Sequence, residues 1–326
     1  MHDEDTVVAV SGEGGVAVSH VPVGGHASAL AVVLLIAAAL IFSTGGLFIR
    51  NLHHADAWTT VFWRSVSACA SLLLLIVWRE RKNSVHAMTT IGAPGLGVAL
   101  AFTASSIAMV VALTRTSVAI VLVIYALGPL AAAVLAWLLI GERVRSYTWV
   151  VVAITVGGVA FMVSGSTAHG STSGALIALV IPISFGFGTV LIRRHHEIAM
   201  APAMLLACVI SAIIAIPFAH PTAVDRHDLL LLLGFGFAQL GVGLALFSVG
   251  AARAPATEVA LLSMLEPIMG PIWVWVFVNE YPGVPALIGG SVVFIALAAH
   301  TVYAARLTDT VPRVACPDVR SATGGS

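Results

Sequence analysis

Apolar residues run along this chain in long stretches. A membrane-crossing helix needs about 20 mostly apolar residues. Ten such stretches occur, at 29–49, 57–78, 91–113, 117–140, 146–164, 174–192, 200–219, 229–250, 256–278 and 284–304. The expected fold class is an all-α polytopic membrane protein with ten transmembrane helices. Residues 1–28 and 306–326 lack such stretches and read as disordered tails on the cytoplasmic side. The polar run 165–173 reads as a linker that divides the spans five and five.

The pattern repeats. Arg115, Pro129, Trp137 and Glu142 recur 138 residues later as Arg253, Pro267, Trp275 and Glu280, and Val121/Val259 and Leu127/Leu265 keep the same offset. The chain therefore reads as two related halves, 29–164 and 174–305. Five spans per half is an odd number, so the second half must insert upside down relative to the first. Many-span proteins with inverted halves are the usual form of secondary transporters.

Charge sets the expected orientation. With the N-terminus in the cytoplasm, the inside segments hold 11 basic residues: Arg79, Arg81, Lys82, Arg143, Arg145, Arg193, Arg194, Arg253, Arg306, Arg313 and Arg320. The outside segments hold 3, namely Arg50, Arg115 and Arg226. That bias predicts both termini in the cytoplasm. The expected location is a cell membrane such as the bacterial inner membrane. No Lys or Arg precedes Arg50, so a cleaved signal peptide is not expected. Only 9% of residues are charged, against about 25% in soluble domains. The net charge is zero, which argues against nucleic acid as a partner. Cys69 and Cys208 fall in apolar spans and read as packing residues.

The run ALGPLAAAVLAWLLIGERV (126–144) resembles the end of the fourth helix of drug/metabolite transporters of the EamA type. LLSMLEPIMGPIWVWVFVNE (261–280) is similar to the matching segment of their second repeat. FSTGGLFIRN (42–51) and SFGFGTVLIRR (184–194) look like the paired ends of helices one and six, and VFWRSVSA (61–68) like helix two. Asn279 departs from the glycine common before the glutamate. The resemblance covers about 29–305. It implies a ten-helix bundle of two inverted five-helix repeats around a central cavity. It also implies transport, by export or in some members uptake, of small metabolites.

Several polar residues interrupt the apolar spans. Glu266 stands near the centre of its span, where a charge costs about 2.5–3.5 kcal/mol even on the milder insertion scale. It reads either as a proton or substrate-amine site or as a carboxyl hydrogen-bonded between helices. Glu258 lies eight residues earlier, about 12 Å along the helix. It is either a second station or an acid favoured by the dipole of its own first turn. Arg64 cannot shed its charge, so it needs water or an anion, which Glu266 or an anionic substrate group can supply. Pro129 and Pro267 each remove a helix hydrogen bond at equivalent places and read as hinges or as passive kinks. The carbonyls they free belong to Tyr125 and Ser263, whose hydroxyls can enter the same cavity.

Ser43, Thr44, Ser105, Ser106, Ser184 and Gln239 complete the set, with Gln239 foremost because its amide needs more partners than its own backbone offers. Glu142 and Glu280 end helices against the dipole and should form ion pairs with Arg143, Arg145 or an arginine on another helix. Gly45, Gly46, Gly186 and Gly188 read as close-packing sites. His53, His54 and Asp56 share one loop, but adjacent histidines rarely both reach one ion, so no metal site is expected there. No cofactor and no catalytic set is expected, and an enzyme is disfavoured. The expected partners are a small-molecule substrate, the lipid bilayer and, as a candidate coupling ion, protons.

Overall fold

A computed structural model describes residues 29–80, 92–142, 146–164, 172–195 and 200–309. The expectations for 1–28, 310–326 and most of the linker lie outside the described residues. So do those for Arg81, Lys82, Arg143, Arg145, Arg313 and Arg320. Among the described residues the regular structure is helical, with no strand. Lipid leaves few alternatives, because each backbone polar group must find its partner within the segment.

Among the described residues ten long helices follow one another: α1 Ala29–Arg50, α2 Ala57–Glu80, α3 Gly92–Leu113, α4 Val118–Ile140, α5 Ser146–Ser164, α6 Thr172–Arg194, α7 Met200–Ala215, α8 Arg226–Ala251, α9 Glu258–Val278 and α10 Val284–Asp309. Nine are long and apolar enough to cross a membrane, while α7 is shorter, at 16 residues. The topology nevertheless requires α7 to cross. Arg50 at the end of α1 pairs with Glu280 just beyond α9. Two helix ends meet on one side only when an even number of crossings separates them. The helices α2 to α9 number eight with α7 and seven without it. The expected tail at 306 starts later, because α10 continues to Asp309.

The two repeats do not form separate bodies. Helix α2 packs on α7 and α8, α3 on α6 and α7, α4 on α6, α5 on α10, and α1 on α8 and α9. Each of these seams joins one half to the other. Small residues permit the approach, as expected where lipid tails remove most of the hydrophobic drive for association. A Cβ on Gly186 would stand 2.7 Å from the Ala132 nitrogen of α4, and one on Gly236 would collide with the Arg64 carbonyl of α2. Gly45 and Gly46 are similarly confined, at 2.6 Å from Gln239 and Val118, whereas Gly188 has only ordinary contact at 3.4 Å. Outward faces stay apolar: on α2, Leu72 is 0% exposed and Leu74 is 62% exposed. Such a surface suits acyl chains rather than water.

Several helices are not continuous. Helix α1 breaks at Thr44, α4 at Ala126–Leu127, α6 at Leu179 and α9 at Met264, and α8 widens into a π-helix over Phe235–Gly243. The breaks in α4 and α9 are equivalent. Ala126 (φ −61°, ψ −14°) and Met264 (φ −67°, ψ −13°) stand 138 residues apart and adopt one conformation. Pro129 and Pro267 follow each break in the first turn of the next segment, where a missing N–H is cheapest. The sequence reading missed Pro271, which sits inside the second α9 segment and has no partner in α4.

Candidate functional site

The polar residues of the bundle fall into four groups. The first surrounds Arg64 on α2, which is 7% exposed. Its Nη1 donates to Ser106 Oγ on α3 at 2.7 Å, and its Nη2 to Gln239 Oε1 on α8 at 3.2 Å. Its guanidinium lies 4.7 Å from the centre of the Phe235 ring. Among the described residues the Nε–H of Arg64 has no hydrogen-bond partner. Gln239 stands in the π-helical stretch and passes the chain on, donating from Nε2 to the Phe42 carbonyl at 2.7 Å. That carbonyl precedes the α1 break. A π-helical turn commonly marks a functional position, and here it directs an amide at a buried cation.

The second group lies at the break in α9. Tyr125 donates to Glu266 Oε2 across a long 3.4 Å, and the Phe185 ring of α6 stands 6.5 Å from the Tyr125 ring. Ser184 precedes Phe185 and is half-buried. Sequence reasoning offered Arg64 as a partner of Glu266. The structure corrects this. Arg64 is drawn to Ser106, Gln239 and Phe235, because the close α2–α8 contact at Gly236 sets those groups beside it. Ser263, equivalent to Tyr125 in the repeat, returns its hydroxyl to the Val259 carbonyl at 2.8 Å. Ser43 and Thr44 likewise bond back to Leu40 and Ile41 at 2.7 and 2.6 Å, and Ser43 also accepts from Trp273 Nε1 at 2.8 Å. Trp273 was not singled out in the sequence. Its spacing of seven from Glu266, two turns on one face, is the signal that could have found it. Glu258 occupies the first turn of its α9 segment, a place the helix dipole favours for an acid.

The third and fourth groups are the expected helix-end ion pairs, and in both the partner is an arginine on another helix. Glu280 receives Arg50 Nε at 2.5 Å and Nη2 at 3.4 Å, and also accepts the Val118 N–H at 3.0 Å. Arg50 further donates to the carbonyls of Leu113 at 2.8 Å and Thr116 at 2.7 Å. Glu142 receives Arg193 Nη2 at 3.0 and 3.1 Å. Helix α1 thus pairs with α9, and its counterpart α6 pairs with α4, the counterpart of α9. Helix parity puts the two pairs at opposite ends of the bundle.

The model for the EamA-like transporter family matches residues 29–164 and again 172–301. The chain belongs to the EamA-like transporter family. The two matches correspond to the two repeats read from the 138-residue offset. A solved structure described as "Crystal structure of protein" superposes with a TM-score of 0.59 at 17% identity, covering 85% of this chain and 98% of its own. That likeness concerns the fold alone. No curated protein sequence matches the chain. The family makes this protein a multi-pass membrane transporter of small solutes.

Proposed function

We infer that this member of the EamA-like family is a secondary transporter that moves a small metabolite by alternating access. The solute class is an amino acid, a drug-like molecule or a related compound. The direction is export across the cytoplasmic membrane, with both termini in the cytoplasm. The observation that carries the reading is the pair of crosswise ion pairs, Arg50–Glu280 and Arg193–Glu142, on repeat-equivalent helices at opposite ends. Such a bundle can open at either end by near-equivalent movements. The breaks beside Pro129 and Pro267 supply the hinges.

Within the bundle, Arg64 serves as the cationic station, its free Nε–H available to an anionic group of the solute. Glu266, reached by Tyr125, serves as the proton or amine station. The proposed polar route also takes in Ser43, Ser184 and Gln239. The test is solute counterflow in liposomes across a broad panel of small metabolites. Uptake of labelled solute should rise when the same unlabelled solute is inside. A solute that crosses without any such stimulation would indicate a pore instead. In the same format, Glu266→Gln should fold and remove the pH dependence of transport, because an amide cannot titrate. A normal rate and a normal pH profile in that variant would leave Glu266 as interhelical glue.

A further inference from the structure

His53, His227 and Asp228 meet at the Arg50 end of the bundle, apart from the route through Arg64 and Glu266. His227 Nδ1 lies 3.3 Å from Asp228 Oδ1. One ligand atom from each of the three residues lies within 4.8 Å of the other two. The His53 and His227 rings are nearly parallel, at 6°, with centres 4.7 Å apart. We propose that these three side chains bind a divalent transition-metal ion, with Zn²⁺ as the reference ion.

The geometry argues for it on three grounds. A four-coordinate zinc site with bonds of about 2.0–2.1 Å has ligand-to-ligand edges of about 3.3 Å. The His227–Asp228 separation already has that length. An entering ion takes the place of the proton between Nδ1 and Oδ1, and that proton leaves to solvent. Second, the carboxylate is fixed in place. Asp228 is 0% exposed and accepts the backbone N–H groups of His53 at 3.0 and 3.2 Å, His54 at 2.7 Å and Ala55 at 3.0 Å. Three of those four bonds end on Oδ2, so Oδ1 keeps capacity for an ion. Asp225 is committed elsewhere, capping α8 by accepting the Asp228 N–H at 2.9 Å. Third, both histidines are exposed. Their rings can turn to shorten the longest separation by the ångström or so that a closed ligand set needs, and water can fill the fourth position. Imidazole nitrogens with one carboxylate favour Zn²⁺, Ni²⁺ or Cu²⁺ over Mg²⁺ or Ca²⁺.

The sequence reading passed over this site because it considered His53 with His54 and Asp56. The other ligands come from the start of α8, 174 and 175 residues away. An ion there ties the α1–α2 loop of the first repeat to α8 of the second, three residues beyond Arg50.

The test uses purified, tag-free full-length protein in detergent. Co²⁺ is titrated while its visible d–d absorption is followed, and Zn²⁺ is then added as competitor. One Co²⁺ should bind per chain and be displaced by Zn²⁺. His53→Ala and His227→Ala should each weaken binding at least tenfold. Both rings are exposed, so both variants should elute and melt as the unaltered protein does. Asp228→Asn provides a third variant, which keeps an acceptor oxygen for the loop while removing the charge, and it too should weaken Co²⁺ binding. The proposal is overturned if the unaltered protein shows no saturable Co²⁺ signal, or if the folded histidine variants bind as well as it does.

Discussion

The Arg50–Glu280 end and the Arg193–Glu142 end are made from equivalent helices of the two repeats, but their surroundings differ. At the first, both side chains are 24% exposed, and the pair also engages two carbonyls and one backbone N–H. At the second, the side chains are 55% and 45% exposed, and the carboxylate and guanidinium meet by a single nitrogen. The same two residue types therefore do different jobs. Arg50 stitches α1 to the α3–α4 turn as well as to α9, so parting that end means breaking five contacts together. Among the described residues Arg193 holds Glu142 alone, in the open, where water can replace it. The Arg50–Glu280 pair is thus the more buried and more connected of the two, and the Arg193–Glu142 pair the looser. The alternating access proposed above predicts a second conformation in which this ranking is reversed.

The sharpest way to break that comparison is to remove each glutamate in turn. Glu280→Ala removes the counter-charge of a half-buried guanidinium and the acceptor of Arg50 Nε and the Val118 N–H. It should cost about 2 kcal/mol or more, because bonds to charged groups are strong and their unpaired remnants costly. Glu142→Ala should cost less than about 1 kcal/mol, as exposed ion pairs do. Thermal unfolding of both variants in one detergent reads the difference. Equal losses would mean that the two ends are energetically alike and that the network at Arg50 adds nothing.

This contrast was half legible in the sequence. The helices were legible because a chain in lipid must satisfy its own backbone, so about 20 apolar residues leave few alternatives. The repeat was legible because Pro129/Pro267 and Glu142/Glu280 are rare residue types at one offset, and the breaks at Ala126 and Met264 bear out their local equivalence. An arginine on another helix was expected for Glu142 and Glu280, but Arg143 and Arg145 stood equal to it as candidates. What spacing could not supply was rotation about each helix axis. That rotation turned Arg64 toward Gln239 rather than Glu266. It also depends on backbone approach at Gly236, which no periodicity reveals. The His53–His227–Asp228 cluster was hidden for a related reason, since it forms between two turns far apart in the chain.

Charge reversal sharpens the comparison with a smaller effect. Exchanging the partners at the exposed end, Arg193→Glu with Glu142→Arg, should restore most of whatever transport either single reversal removes. Attraction between the two heads is all that the pair supplies there. The same exchange at the other end, Arg50→Glu with Glu280→Arg, should not be rescued. A glutamate at 50 cannot donate to the Leu113 and Thr116 carbonyls, and an arginine at 280 cannot accept from the Val118 N–H. Counterflow rates of the four single and two double variants provide the measurement. Rescue at both ends would reduce the Arg50 network to a simple ion pair.

The smallest expected effect is that of salt. Charges in contact with solvent are screened over about 8–10 Å at 0.1–0.15 M salt and over about 3 Å at 1 M, while half-buried ones are screened less. Raising the salt from low ionic strength to 1 M should therefore loosen the Arg193–Glu142 contact more than the Arg50–Glu280 contact. Cysteines substituted for Ala136, which bonds backbone to backbone with Glu142, and for Thr116, beside Arg50, can report on the two ends separately. Both positions are buried, so a thiol there reacts only as its end opens. Labelling at 136 should quicken with salt, by a few-fold at most, since an exposed pair contributes under about 1 kcal/mol. Labelling at 116 should hardly change. The reverse order would show that the exposed pair is not what holds its end together, and that the closure of the Arg193 end rests on apolar packing of α4 against α6.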